Sequence, residues 1–355
     1  MKKAAVYPFN KISQGLIRFR ELLDFKIASV IDFTVHVGED AGEVVDGNHM
    51  GVSIQDDFVQ ALEHIDTLIL TDSGSPMFHL NEVFEKYNLT GRWKEVVKKA
   101  SDLGISIISI HEIKDKEMLG WLQKNRIVVK LFTETKEEIL KTIEEMRNHP
   151  VKLAAVRIGI YATRPCIGKF TTQMYLLRAL KQQGRKAGAL ITEPTARLFG
   201  QYDVDPLRYL AVLSHNPIQY NAYISAMAEK SELDGNDVTI MASQGALGYT
   251  KDDIIYSNLL KLSNLVEFNP DLAFLIVGYD DDEKIRNCMD LIRIYCNGKK
   301  PAAFLLPDKI ETGYGEYEIK TEKEILVRKE ELKQKFGVRR IEKIAEIEKL
   351  IDMIP

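Results

Sequence analysis

Residues 153–180 contain the feature that most restricts how this chain can fold. An apolar strand, LAAVRIGI, is followed by a turn that ends in Gly168-Lys169 and by an amphipathic helix that opens with Phe170-Thr171-Thr172. In such an arrangement the backbone N–H groups of the turn and the positive end of the helix dipole face an anion, and the lysine reaches its outer oxygens. The stretch predicts a phosphate-binding loop. The simpler alternative is an ordinary strand-to-helix turn with a surface lysine.

The predicted loop departs from the usual GxxxxGK[ST] pattern. Ala162 stands where a glycine normally opens the loop, which is one residue longer here, and Phe170 directly follows Lys169. A metal on the phosphates would therefore fall to Thr171 or Thr172, and we assign it to Thr171. Loop residues serve mainly to present their backbone, so Cys166 is not interpreted as a nucleophile. The residues predicted to contact the phosphates are Thr163, Arg164, Pro165, Cys166, Ile167, Gly168, Lys169, Phe170, Thr171 and Thr172.

Uniformly apolar segments alternate with helical segments along the whole chain, for example at residues 105–110 in the first half and 272–277 in the second. Such strands are typical of parallel sheets covered by helices on both faces. We predict an α/β protein with two parallel-sheet domains. These are a Rossmann-like domain at residues 1–150, a P-loop NTPase-like domain at 151–320 and a helical tail at 321–355 packed on the second domain.

Polar residues follow several predicted strands. In the second domain these are Thr192-Glu193, Ser243-Gln244-Gly245 and Tyr279-Asp280. The carboxyl ends of parallel strands meet at one edge of a sheet, where ligands usually bind. We therefore take Lys169, Gln244 and Glu193 as candidate catalytic residues.

In the first domain, Asp72-Ser73-Gly74-Ser75 and His111-Glu112 close the two most apolar strands. A helix cap or a turn is the simpler interpretation of both segments. The first strand is not followed by G-x-G-x-x-G, so we predict no dinucleotide site there and no oxidoreductase.

Charge and apolar content exclude several classes of protein. The net charge is −4 and the pI about 6.1, so no basic excess indicates nucleic acid or an acidic membrane as a partner. No apolar run approaches the roughly 18 residues of a membrane span, and the first run stops at Pro8. The three cysteines, without a CxxC, favour neither disulfides nor zinc. We expect a cytoplasmic protein.

The second half resembles the P-loop domain of a bacterial family related to dethiobiotin synthetases, which includes D-glutamate N-acetyltransferase-type proteins. The family loop GTDxxxGKMTT aligns with ATRPCIGKFTT, which begins at Ala162, and its VEGQGSL segment aligns with MASQGAL, which begins at Met241. A Rossmann-like domain precedes the P-loop domain in that family too. Within the family the whole chain looks most like the clostridial peptide-maturation-system proteins of natural-product cassettes.

The resemblance implies ATP or another nucleotide as ligand and a role in maturing a ribosomally made peptide. It also implies a precursor peptide or small molecule as substrate, a radical enzyme of the same cassette as partner, and homodimers. Two carboxylates of the family are replaced, the loop aspartate by Arg164 and the strand-end glutamate by Ala242. Such carboxylates hold Mg²⁺ or its waters, whereas Arg164 adds a fixed positive charge beside the phosphates. Three accounts stay open: Glu193 or Asp280 holds the metal, the ligand binds without metal, or the site is degenerate.

Two functions of different classes fit these residues. An ATP-dependent ligase or group-transfer enzyme would use Lys169 and the loop amides to stabilise the β- and γ-phosphates, Thr171 to bind a metal and Gln244 to orient a nucleophile. A catalytically degenerate P-loop scaffold would instead bind a precursor peptide or a partner enzyme. Conversion of ATP that depends on the peptide distinguishes the two.

Overall fold

The computed structural model describes residues 1–75, 81–132, 134–148, 154–213, 216–247, 258–313 and 316–355. Contacts between Cα atoms divide the chain into two units, one of residues 1–133 with 197–200 and one of 134–196 with 201–355. The predicted domain boundary between residues 150 and 151 lies outside the described residues. The helix Lys136–Asn148, which the sequence analysis placed in the first domain, belongs to the second unit.

Within the described residues, the first unit is built on a six-stranded parallel sheet of order β3-β2-β1-β4-β5-β6. The strands are β1 (Lys3–Tyr7), β2 (Lys26–Ile31), β3 (Ile54–Gln55), β4 (Thr67–Leu70), β5 (Ser106–Ser109) and β6 (Lys130–Leu131). The helices are α1 (Lys11–Arg18), α2 (Ala41–Asp46), α3 (Phe58–Ala61), α4 (Asn81–Lys86), α5 (Leu89–Asp102) and α6 (Lys116–Lys124). This is the strand order of a Rossmann sheet.

The turn from β1 to α1 is closed by the chain's own side chains. Asn10 caps α1 by accepting hydrogen bonds from the N–H groups of Ile12 and Ser13, and the Ser13 hydroxyl accepts one from the N–H of Asn10. The chain's own side chains therefore satisfy the donors that a phosphate would use. Trp93, Val96 and other apolar residues of α5 pack on one face of the sheet.

The second unit contains a seven-stranded parallel sheet, counted over the same ranges, of order β15-β12-β11-β7-β10-β8-β9. Its strands are β7 (Val156–Ala162), β8 (Ala187–Ile191), β9 (Tyr202–Asp203), β10 (Val238–Ala242), β11 (Leu272–Ile276), β12 (Ala303–Leu306) and β15 (Ile341–Lys343); β13 (Lys309–Gly313) and β14 (Glu316–Ile319) form a separate antiparallel hairpin. The helices are α7 (Lys136–Asn148), α8 (Lys169–Gln182), α9 (Pro206–Val212), α10 (Pro217–Leu233), α11 (Asn258–Phe268), α12 (Asp282–Tyr295) and α13 (Glu322–Phe336). The two parallel sheets confirm the predicted α/β class.

The tail predicted to be helical also contains a strand. After α13, strand β15 adds to the edge of the sheet beside β12, and the 3-10 helix Ile344–Met353 packs on α8. Ile341 and Ile344 are buried, so the tail contributes to the core of the second unit. A short strand of this kind is hard to recognise in a sequence rich in charged residues, because the neighbouring strand supplies its hydrogen bonds. None of the described helices is both long and apolar enough to cross a membrane.

Candidate phosphate-binding site

The predicted loop lies between β7 and α8. Strand β7 ends at Ala162, residues 163–168 form the loop, and α8 begins at Lys169, which is only 9% exposed. Gly168 precedes the helix with φ +102°, a conformation that glycine adopts without strain. Gly168 stands at the N-cap position and has no side chain with which to cap α8. The first N–H groups of the helix, its dipole and Lys169 therefore form an arrangement suited to an anion.

Asp281 fixes the first half of the loop from the neighbouring strand. Its carboxylate is fully buried and accepts hydrogen bonds from the Thr163 hydroxyl at 2.6 Å and from Nε of Arg164 at 2.5 Å. The Thr163 hydroxyl oxygen in turn accepts the N–H of Gly278 at 3.1 Å. A Cβ on Gly278 would lie 2.2 Å from Oδ2 of Asp281, so the close approach requires glycine. The segment after β11 thus holds the loop through charged and neutral hydrogen bonds.

This pairing corrects the charge argument made from sequence. Arg164 was expected to add a fixed positive charge beside the phosphates, but its guanidinium forms an ion pair with Asp281, which offsets that charge. The sequence analysis also considered Asp280 as the acidic neighbour of the loop, whereas Asp280 is exposed. In the sequence, Asp281 is distinguished only as a member of the acidic run at residues 280–282, shortly after β11. Spacing along the chain could not show which of the three carboxylates faces the loop.

The tail supports the site from two sides. Arg328 of α13 is buried and donates to the Gly278 carbonyl at 3.2 Å and to Asp282 at 2.8 Å. Ile344 lies against the loop, because a Cβ on Gly168 would be 2.8 Å from its Cδ1. Sequence analysis missed Arg328, since it stands in a helix of alternating Lys and Glu that has the pattern of a solvated face.

The other candidate residues lie at the same edge of the sheet. Strand β10 lies between β7 and β8. Gln244, which follows β10, is therefore at the strand end next to that of β7, and Glu193, which follows β8, is one strand farther away. Both are half-buried. Ser243, which directly follows β10, is 2% exposed, and its hydroxyl has no hydrogen-bond partner in the part of the chain that the structure describes. On the other side of the loop, Tyr279 and Asp280 line an open cleft of about 520 Å³.

The donor set fits phosphate better than a carboxylate-held Mg²⁺. The Thr172 hydroxyl is committed to the Gly168 carbonyl at 2.8 Å, while Thr171 is half-buried and its hydroxyl has no hydrogen-bond partner in the described ranges. Ala242 is buried where the resembled family has a glutamate, and Asp281 is occupied by Thr163 and Arg164. Mg²⁺ is normally bound through one or two carboxylates plus phosphate oxygens. Thr171 supplies one hydroxyl and no carboxylate, so it offers fewer ligands than a bound Mg²⁺ normally has.

The first unit contains one group with the composition of a metal site among the described residues, namely Asp40, Glu43 and His49. Burial raises the pKa of Asp40, but hydrogen bonds from the backbone N–H groups of residues 43 and 50–52 outweigh this effect and lower it to about 2. Because the backbone already occupies both carboxylate oxygens, this group is a loop anchor.

The two polar segments that the sequence analysis marked in this unit are both turns at strand ends. Oδ1 of Asp72 accepts the N–H of Gly74 at 2.7 Å, and the Ser109 hydroxyl donates to the carbonyl of His111 at 2.6 Å. These local hydrogen bonds are those of turns, which the sequence also favoured as the simpler interpretation of both segments.

Comparison with known proteins shows a shared fold. No family model matches the sequence, and no curated protein matches it. A DUF1611 family protein from Anabaena variabilis superposes over 96% of this chain and 95% of its own with a TM-score of 0.63 at 15% identity. The signal recognition particle 54 kDa protein from Aeropyrum pernix K1, in complex with GDP, has a TM-score of 0.35 at 12% identity over 75% of this chain and 58% of its own. The first of these shows that the two-unit α/β fold occurs in another protein.

Proposed function

We propose that the second unit binds the phosphates of a nucleotide such as ATP at the N-terminus of α8. The observation that carries this proposal is the loop geometry, in which Gly168 with φ +102° leads into the N-terminus of α8, Lys169 is buried at its first position and Asp281 fixes the loop. Donors that are already positioned bind a phosphate without reorganisation, and charge-assisted hydrogen bonds are the stronger kind.

We further propose that binding depends little on Mg²⁺. Arg164 is neutralised by Asp281, so Lys169 and the helix N-terminus supply the positive potential. A buried Ala242 offers no ligand to a metal. Hydrolysis should be slow for the same reason, since the metal ordinarily neutralises the charge that develops during phosphoryl transfer.

Calorimetric titration of ATP, ADP and inorganic tripolyphosphate, with Mg²⁺ and with a chelator, tests both statements. We expect Lys169→Ala to weaken binding by about tenfold to a hundredfold in either condition, because a hydrogen bond to a charged group contributes roughly 1.5–3 kcal/mol. Lys181→Ala is the matched control, since it removes the same charge from the other end of α8.

Two results would contradict the proposal. Failure of all three ligands to bind in both conditions would mean a vestigial loop. Binding seen only with Mg²⁺ would mean that Glu193 or another acid holds the metal. Ala242→Glu restores the carboxylate of the resembled family, and we expect it to make binding more dependent on Mg²⁺.

As the finer function we propose that this nucleotide site serves in the maturation of a ribosomally made peptide, as an ATP-dependent ligase or group-transfer enzyme in the cytoplasm. Gln244, which follows the strand beside β7, and Glu193, which follows the next strand after it, are the residues we assign to its chemistry. A precursor peptide or small molecule would be the substrate, with a radical enzyme and a second copy of the chain as partners. Production of ADP or AMP that requires the peptide supports this function.

A scaffold without catalysis is the second candidate, and the buried alanine at position 242 together with the occupied carboxylate of Asp281 favours it. It predicts tight binding of the precursor peptide, with or without nucleotide, and no turnover. Isothermal titration with the peptide beside an assay of ATP conversion separates the two candidates.

A further inference from the structure

A series of hydrogen bonds connects the tail helix α13 to the first residue of the phosphate loop. Arg328 donates to the carbonyl of Gly278 at 3.2 Å, and the N–H of Gly278 donates to the Thr163 hydroxyl oxygen at 3.1 Å. The Thr163 hydroxyl in turn donates to Asp281 at 2.6 Å. Every member of this series is buried. Two parts of the chain that are far apart in the sequence are therefore joined through the residues that follow β11.

Helix α13 also holds the end of the segment between β11 and α12. Strand β11 ends at Ile276 and α12 begins at Asp282. Oδ1 of Asp282 accepts a hydrogen bond from Arg328 at 2.8 Å and Oδ2 accepts one from Lys335 at 2.7 Å, so side chains of α13 use both oxygens of that carboxylate. Charge-assisted hydrogen bonds of this kind are the stronger ones. The position of residues 277–281 therefore depends on the tail.

Thr163 is the point at which this segment contacts the loop. It directly follows β7, it is buried, and its N–H donates to the Ile276 carbonyl at 3.0 Å. A hydroxyl has a single donor, and that of Thr163 is used on Asp281 while its oxygen accepts from Gly278. A displacement of Gly278 or Asp281 would therefore displace Thr163, and with it the start of the loop.

The contacts of Arg328 indicate an effect of position rather than of charge. Within the described residues, Arg328 forms no hydrogen bond or ion pair with residues 163–168. Its guanidinium pairs with Asp282 at 2.8 Å and with Glu331 at 3.1 Å, so two carboxylates offset its positive charge. An anion at the N-terminus of α8 would gain little from a cation that is already paired in this way.

We propose that Arg328 is a positioning residue for the phosphate loop, which it holds in the binding conformation through Gly278 and Thr163. The tail helix α13 thereby sets the affinity of the site without contacting the ligand. This inference rests on the proposed function, because the affinity concerned is that for phosphate. Substitutions within a contiguous network of contacts change the coupling between its two ends by amounts that binding measurements resolve.

Calorimetric titration with tripolyphosphate measures the effect of Arg328 on affinity. Arg328→Met keeps a long apolar side chain and removes every donor, and we expect it to weaken binding about threefold to thirtyfold. Arg328→Lys keeps the cation and should weaken binding less than Arg328→Met does. Lys333→Met is the matched control, because Lys333 lies on the same helix, is exposed and pairs with Glu330. It should change the affinity less than about twofold.

A double-mutant cycle shows whether Arg328 acts through Thr163. Thr163→Val removes the hydroxyl that receives the N–H of Gly278. In that background we expect Arg328→Met to weaken tripolyphosphate binding less than about twofold, because the connection is already broken. A loss as large as the one in the unmodified background would overturn the proposal. Arg328→Lys replaces Arg328→Met in the cycle if the methionine variant fails to fold.

Hydrogen exchange of peptides that cover residues 163–168 needs no ligand, so it separates this inference from the proposed function. Arg328→Met should speed exchange in these peptides and leave peptides of α10 unchanged, and Lys333→Met should change neither. Unchanged exchange in the loop, or faster exchange throughout the second unit, would overturn the proposal. If the unmodified protein does not bind tripolyphosphate while Arg328→Met still speeds exchange in the loop, the proposed function fails and the positioning of the loop by Arg328 stands.

Discussion

At the scale of single residues, the buried carboxylate of Asp72 destabilises the folded chain when it is ionised. Burial raises its pKa from 3.8 to about 6, whereas the hydrogen bond from Gly74 lowers it only in part. The folded state therefore favours the protonated form. Well below pH 4 the residue is neutral in both states and has no effect, but between about pH 3 and 6 the unfolded chain ionises first and stability falls. Above pH 6 the full cost, at most about 3 kcal/mol, is present.

We expect Asp72→Asn to raise the free energy of unfolding at pH 7.5 by up to about 3 kcal/mol and to raise it much less at pH 4.5. Urea denaturation at both values measures this difference. Asp24→Asn, at an exposed position, should change stability by less than about 0.5 kcal/mol at either pH. An equal gain in stability at both pH values would mean that burial does not raise the pKa of the Asp72 carboxyl.

At the scale of elements, the loop and the tail meet at Gly168. Gly168→Ala would strain a backbone with φ +102° and bring a Cβ within 2.8 Å of Cδ1 of Ile344. We expect a loss of about 2–3 kcal/mol in the free energy of unfolding, with part of it relieved when Ile344→Val removes that atom. Gly184→Ala is the control, since Gly184 has φ +76° but nothing within 4 Å of its Cβ position. If both alanine variants lose equal stability, the tail does not constrain the loop.

At the scale of the whole molecule, each unit buries its own core. Among the residues that the structure describes, one apolar cluster lies within the first unit and two others lie within the second. Separate cores predict separate cooperative unfolding. Hydrogen exchange of peptides from α8 monitors its unfolding in urea. Saturating tripolyphosphate should move the midpoint of that transition to a higher urea concentration. The transition followed by tryptophan emission should stay in place, because Trp93 and Trp121 report only on the first unit. Equal shifts of both signals would show that the units unfold together.

The sequence by itself determined the α/β class, the alternation of strands and helices, and the position of the loop between β7 and α8. These features are local. An uninterrupted apolar run, a Gly-Lys pair and an amphipathic helix lie within 28 consecutive residues, counted from residue 153 to residue 180, and each acts through its own backbone and its immediate neighbours. The order of the chain was enough to recognise them.

Only the tertiary structure decided which charges meet at the loop and what the tail does. Arg164 and Asp281 are 117 positions apart, and they pair because β11 lies beside β7 in the sheet. Strand β15 exists because the edge of β12 supplies its partners, and Tyr7 lies inside its sheet because β1 pairs with both β2 and β4. Strand order follows from how separate segments bury their apolar faces together, which no local pattern records.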